Sequence, residues 1–69
     1  MQKRPISNNQ DIIELTGTTI RETEKAVLID FGRDSNVWIP KQFLEDWPDK
    51  NKTGEVLIEE WIAEDKELI

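Results

Sequence analysis

The sequence predicts a mainly β fold ending in a helix, either a small, strongly bent four-stranded antiparallel sheet or an OB-like or SH3-like barrel. Three observations point there. Apolar and polar residues alternate over 11–22 and 25–31, turn formers separate the apolar runs, and the closing segment exchanges alternation for helical spacing. The expected organisation is a flexible tail over 1–10 and one barrel-like domain over 11–69.

Taken in order, MQKRPISNNQ holds two bases, a proline and polar amides with almost nothing to bury, which describes a tail. DIIELTGTTIRE sets Ile13, Leu15 and Gly17 against Ile12, Thr16, Thr18 and Ile20, the pattern of a strand, with Gly17 expected at a bulge or bend. KAVLIDF places Val27, Ile29 and Phe31 on one face and Ala26, Leu28 and Asp30 on the other. GRDSN is a turn, because Gly, Asp, Ser and Asn each relax a backbone restriction there. VWI is a short third strand that Pro40 ends, since proline donates no ladder hydrogen bond. Pro40, Phe43, Leu44 and Trp47 then follow i, i+3, i+4, i+7 spacing, so PKQFLEDW is expected to be a short helical segment closed by Pro48. DKNKTG is a polar loop and EVLIEE a fourth strand. EEWIAEDKELI is expected to be a helix, with Ile58, Trp61, Ile62 and Ile69 near one stripe and Glu59 and Glu60 in its first turn.

Composition excludes several classes of chemistry. With 69 residues, no Cys and no His, the chain has no disulfide, no ordinary zinc site and no Ser-His-Asp or Cys-His device. It also lacks Tyr, so only carboxylates, lysines and hydroxyls remain for catalysis, and the expectation is a protein that is not an enzyme and carries no cofactor or metal. A domain of this size buries only about 60% of its unfolded surface. Stability must then come from good packing or from self-association, which makes a homo-oligomer one expectation. The net charge of −6 repels phosphate backbones and favours a protein partner with a basic surface, so nucleic acid and membrane are not the expected partners. No apolar segment resembles a signal peptide or membrane span, and the expected location is the cytoplasm of a host cell.

Three motif matches carry no chemistry. DFG at 30–32 lacks every other kinase element, DFGRDSN lacks the calcium-loop spacing, and the Asn51-Lys52-Thr53 sequon matters only in a secreted chain.

Two surface features remain. Glu55, Glu59, Glu60, Glu64, Asp65 and Glu67 place six carboxylates in thirteen residues against the single base Lys66. Such a run is ordinarily a solvated helix face, and it also suits docking on a basic partner. Glu45, Asp46 and Asp49 extend it. Trp47 and Trp61 are expected in the core, Trp61 as an anchor beside Val56, Ile58 and Ile62. Trp38 alternates with Val37 and Ile39 and so faces outward if they face inward, where with Arg33 and Lys41 it forms an aromatic and basic contact site.

The spelling ETEKAVLIDF, VWIPK and VLIEEWIAEDKEL resembles a family of short, mostly uncharacterised proteins of phages, prophages and bacteria. The resemblance covers about residues 17–69 and rests on TEKA at 23–26, WIPK at 38–41 and a terminal WLA-like helix start at 61–63. Members usually carry serine after the WIPK lysine and glycine before the last leucine, where this chain has Gln42 and Glu67. The resemblance implies a compact phage-type accessory domain and supplies no catalytic residue. The leading functional expectation is a non-enzymatic accessory protein that binds a protein partner through its acidic surface, in its specific form a nucleic-acid-mimicking inhibitor of a host enzyme. The alternatives are an OB-like single-strand nucleic-acid module, in which Trp38 and Phe31 stack on bases beside Arg21, Arg33 and Lys41, and a self-assembling structural subunit.

Overall fold

Residues 12–22 alternate over a length that one neighbouring strand does not fill, and the fold follows from how that length is shared. The computed structural model describes residues 11–69, and the expected 1–10 tail lies outside the described residues. The strands β1 (Ile12–Glu22), β2 (Ala26–Asp30), β3 (Val37–Pro40), β4 (Leu44–Asp46) and β5 (Thr53–Glu59) form one antiparallel sheet in the order β3-β2-β1-β5-β4. A short helix, α1 (Glu60–Asp65), follows. Residues 12–18 of β1 pair with β5, and residues 18–22 pair with β2. The sheet is therefore two three-stranded leaves that share β1.

The connection from β3 to β4 requires those leaves to curl toward each other. These strands are the two edges of the sheet, four ladder spacings or about 19 Å apart if it were flat. Pro40 and Leu44 are four peptide links apart, which reach at most about 15 Å, and a 3₁₀ turn at Lys41–Phe43 shortens that further. The two edges meet where Lys41 Nζ, just past β3, lies 5.7 Å from the centre of the Trp47 ring, just past β4, and both side chains reach Glu22 at the far end of β1 (2.7 and 3.3 Å). No ladder joins β3 to β4, so the sheet remains open and the expected barrel does not close.

Between the leaves lies the core. Val27, Ile29 and Ile39 come from one leaf, Leu44, Val56 and Ile58 from the other, and Ile62, Ala63 and Leu68 cover them from the C-terminal segment. Gly17, on the shared strand, has side chains of both leaves against it: a Cβ there would lie 2.7 Å from Ile29 Cγ2 and 3.2 Å from Val56 Cγ2. Its role is thus close packing rather than the expected bulge. The bulge falls between Thr19 and Arg21, and it shifts the pairing so that Arg21 sits opposite Leu28 and Glu22 opposite the buried Val27.

The structure corrects the sequence expectation in three further places. There are five strands rather than four, because PKQFLEDW is a single 3₁₀ turn followed by β4 rather than a helix. The spacing of Phe43, Leu44 and Trp47 suits a helix, but Leu44 is drawn into a ladder opposite Ile58, and a register shift before Asp46 accommodates the irregular strand. The terminal helix is six residues long, not eleven, because Ile58 and Glu59 stay paired with Ile13 and Ile12 and Glu60 N–H donates to Asp11 O (2.9 Å). Its other end closes at once: Glu67 N–H donates to Glu64 O (3.0 Å) and Leu68 N–H to Ala63 O (2.8 Å), a Schellman closure with Glu67 at φ 61°. Trp61 consequently misses the buried stripe of Ile62 and Ala63 and is 46% exposed, so it is not the expected core anchor, and Ile69 is exposed as well.

Candidate functional site

The face of the sheet turned away from the core is uncovered by any described element, and its side chains follow from strand alternation. Ile13, Leu15, Val56 and Ile58 pack inward, which sends Glu14, Glu55 and Leu57 outward. Register then gathers charge. Leu57 lies opposite Glu14 on β1 and opposite Asp46 on β4, with Glu55 and Glu59 two residues away on either side along β5. Side chains directly opposite on one face sit about 4.5–5.5 Å apart at Cβ, so a half-buried leucine is ringed by four carboxylates. Ile12, opposite Glu59, extends the apolar part, and Trp61 stands at its end. The indole of Trp61 donates to Glu59 Oε1 (2.6 Å) and meets Phe43 edge to face at 5.1 Å between ring centroids.

Of the six acidic residues singled out in the sequence, only part lies on this face. Glu55 is exposed on it, and Glu59 belongs to it by register but is buried, at 7% exposure, so it is not the solvated charge expected. Glu60 is half-buried, while Glu64, Asp65 and Glu67 are exposed on and just beyond α1, whose Ile62 and Ala63 pack on the core side of the sheet. One continuous negative helix face is therefore not what forms. Glu14, Leu57 and the placement of Asp46 escaped the sequence reading. The signal was present in the alternation of Glu14 with Ile13 and Leu15, but which acids become neighbours depends on register between strands about forty residues apart.

The proposed aromatic and basic group does not assemble either. Trp38 does face outward, 43% exposed, beside Leu28 on β2, which in turn lies opposite Arg21. Arg33, however, donates through Nη2 to the carbonyl of Leu68 (2.8 Å). Lys41 pairs with Glu22 at 2.7 Å and lies over the Trp47 ring at 5.7 Å. Phe31 packs against the core. The bulge explains Glu22: uninterrupted alternation would aim it outward, whereas one extra residue places it opposite Val27, on the side where Lys41 arrives from the end of β3 and Trp47 from the end of β4. The hydrogen bonds from Lys41 and then Trp47 hold the Glu22 carboxyl below its ordinary pKa.

The TEKA and WIPK segments meet, and for structural reasons. Thr23 closes a tight hairpin, its N–H donating to Ala26 O (2.8 Å) and its Oγ1 accepting from Ala26 N–H (3.1 Å). Ala26 pairs with Pro40, and Lys41 N–H donates to Lys25 O (2.8 Å). In DFG, Asp30 Oδ1 accepts from Gly32 N–H (2.7 Å) while Gly32 takes φ 81°, so the triplet is a turn. Among the described residues no group of three carboxylates is arranged to hold a metal ion, and no helix is long and apolar enough to cross a membrane. No protein-family model matches the chain, and no curated protein or solved structure shows significant similarity to it. The fold and this surface define a small, curled, open-sheet β domain with an acidic outer face.

Proposed function

We propose that the protein is a non-enzymatic accessory domain, of the phage type that its sequence resembles, and that it binds a basic protein partner through the outer face of β1, β4 and β5. The observation that carries the reading is the ring of Glu14, Asp46, Glu55 and Glu59 around Leu57. Among the described residues the one ion pair is Lys41 with Glu22, so no described base neutralises Glu14 or Glu55. The fields of Glu14 and Glu55 add, steer a positive partner toward the face and weaken as salt rises. In its specific form the partner is a nucleic-acid enzyme whose phosphate-binding groove the carboxylates occupy.

The test compares the full chain with a Glu14→Lys, Glu55→Lys variant as bait in bacterial extract. The wild-type chain is expected to retain a basic protein at low salt that the variant does not, and an oligonucleotide is expected to displace it if the partner's phosphate groove is engaged. Equal capture by both baits would reject the reading.

The exposed Trp38 favours a second reading, a single-strand nucleic-acid contact, with Arg21 as the base on that leaf. Base stacking would quench tryptophan emission on adding an oligonucleotide at low salt. An unchanged spectrum would remove it.

A further inference from the structure

We infer that the acid-ringed face recognises a mixed segment, in which an apolar side chain flanked by Lys or Arg seats on Leu57 and Ile12 while the bases meet the exposed carboxylates of Glu14, Asp46 and Glu55. This rests on the acidic-face reading above and adds the chemistry of the partner. Two features of the face require it. The centre of the ring is a leucine, half-buried in the sheet yet covered by no described element, and Ile12 beside it is 39% exposed at the strand start. Trp61 ends the same strip, its indole N–H already committed to Glu59 and its ring edge against Phe43. A partner of uniform positive charge would leave this apolar strip wet, whereas one with an apolar anchor removes it from water and surrounds the contact with ion pairs. Interfaces concentrate their affinity in such apolar centres, and the polar rim contributes orientation and rate. Charge complementarity selects the occupant. The neighbouring leaf presents Trp38 and Leu28 with Arg21 and Asp30, one base and one acid, so the β1-β5-β4 half of the sheet is the one that draws a basic partner and repels an acidic one.

The experiment titrates the isotope-labelled full chain with two synthetic peptides of equal positive charge, one carrying a central Leu-Trp pair between lysines and one with Ser-Ser there. The Leu-Trp peptide is expected to bind about tenfold more tightly, which corresponds to ~1.4 kcal/mol. Its amide shifts are expected at residues 12–16, 46 and 55–59 and at the Trp61 indole. Leu57→Ser is expected to abolish the tenfold preference and leave Ser-Ser binding unchanged. Ile12→Ser, at an exposed side chain whose backbone pairing with Glu59 the substitution leaves in place, is expected to reduce the preference in the same direction. If Glu14→Lys with Glu55→Lys weakens both peptides but neither serine variant alters the preference, the acidic-face reading stands and the apolar anchor is wrong. Shifts centred on Trp38 would overturn the proposal. So would binding seen only after Lys3→Ser and Arg4→Ser, which would assign the face to the chain's own first residues, or concentration-dependent dimerisation through the same residues, which would assign it to a second copy.

Discussion

Glu67 shows how much one side chain reveals when its backbone is known. It occupies the left-handed position of the Schellman closure at φ 61°, where a Cβ costs roughly 1–2 kcal/mol and glycine is the usual occupant. Glu67→Gly is accordingly expected to stabilise the fold by about 1 kcal/mol in urea denaturation, the relief of strain exceeding the extra chain entropy of glycine. Gly17 gives the opposite case. Its absent Cβ accommodates Ile29, Val56 and Phe31, and the first two are fully buried and β-branched, with little room to yield. Gly17→Ala is expected to cost about 1–3 kcal/mol by the same measurement. Thr19 is fully buried, and its Oγ1 donates to Pro48 O at 2.7 Å. Thr19→Val keeps the shape but leaves that carbonyl unmet, an expected loss of about 1–3 kcal/mol. Glu22 adds a pH dependence of known sign. Because its folded pKa is depressed, its contribution is present above its unfolded value of 4.5 and is lost as pH falls through the lower folded value. Glu22→Gln is therefore expected to melt earlier than wild type at neutral pH, with the gap closing below about pH 4.5 and narrowing in high salt.

At the scale of elements, the strands that alternate cleanly were legible and the short, irregular ones were not. Ile13, Leu15, Val27, Ile29, Val56 and Ile58 announce three strands through period-two burial, and the structure places all of them against one core. β4 has no such pattern. Leu44, Glu45 and Asp46 include two poor strand formers, and the strand exists because Leu44 reaches Ile58 across a register shift, a tertiary contact that no local window contains. The six-residue length of α1 was illegible for a similar reason: ladder pairing of Glu59 with Ile12 holds its start, while Leu68 must turn back into the core. Leu68 also receives Arg33 on its carbonyl, so the last turn is tied to the loop after β2. Outward placement of Trp38 was readable from its neighbours Val37 and Ile39, whereas the carboxylate ring depends on β1 to β5 register and so on pairings distant in the chain.

For the whole molecule, the open sheet leaves two edges, β3 and β4, and both are short. β3 is four residues ending in Pro40, and β4 is three residues with an irregular register. Short, interrupted edges of this kind resist strand addition from another copy. Together with like charge on every copy, they argue against the self-assembling reading. Sedimentation at two concentrations is expected to return one monomeric species in dilute buffer, and a concentration-dependent increase in mass would restore that alternative.

Sharing β1 between two leaves also bears on synthesis of the chain. On the ribosome, residues 18–30 can close their hairpin early, yet residues 12–17 have no partner until Thr53–Glu59 emerge, more than thirty-five residues after them. During that interval a β-branched stretch rich in Ile and Thr presents a bare hydrogen-bonding margin, the kind of surface that recruits other nascent strands or chaperones. Translation stalled anywhere before residue 53 would strand the molecule in that adhesive form, so the late-made strand protects the first one.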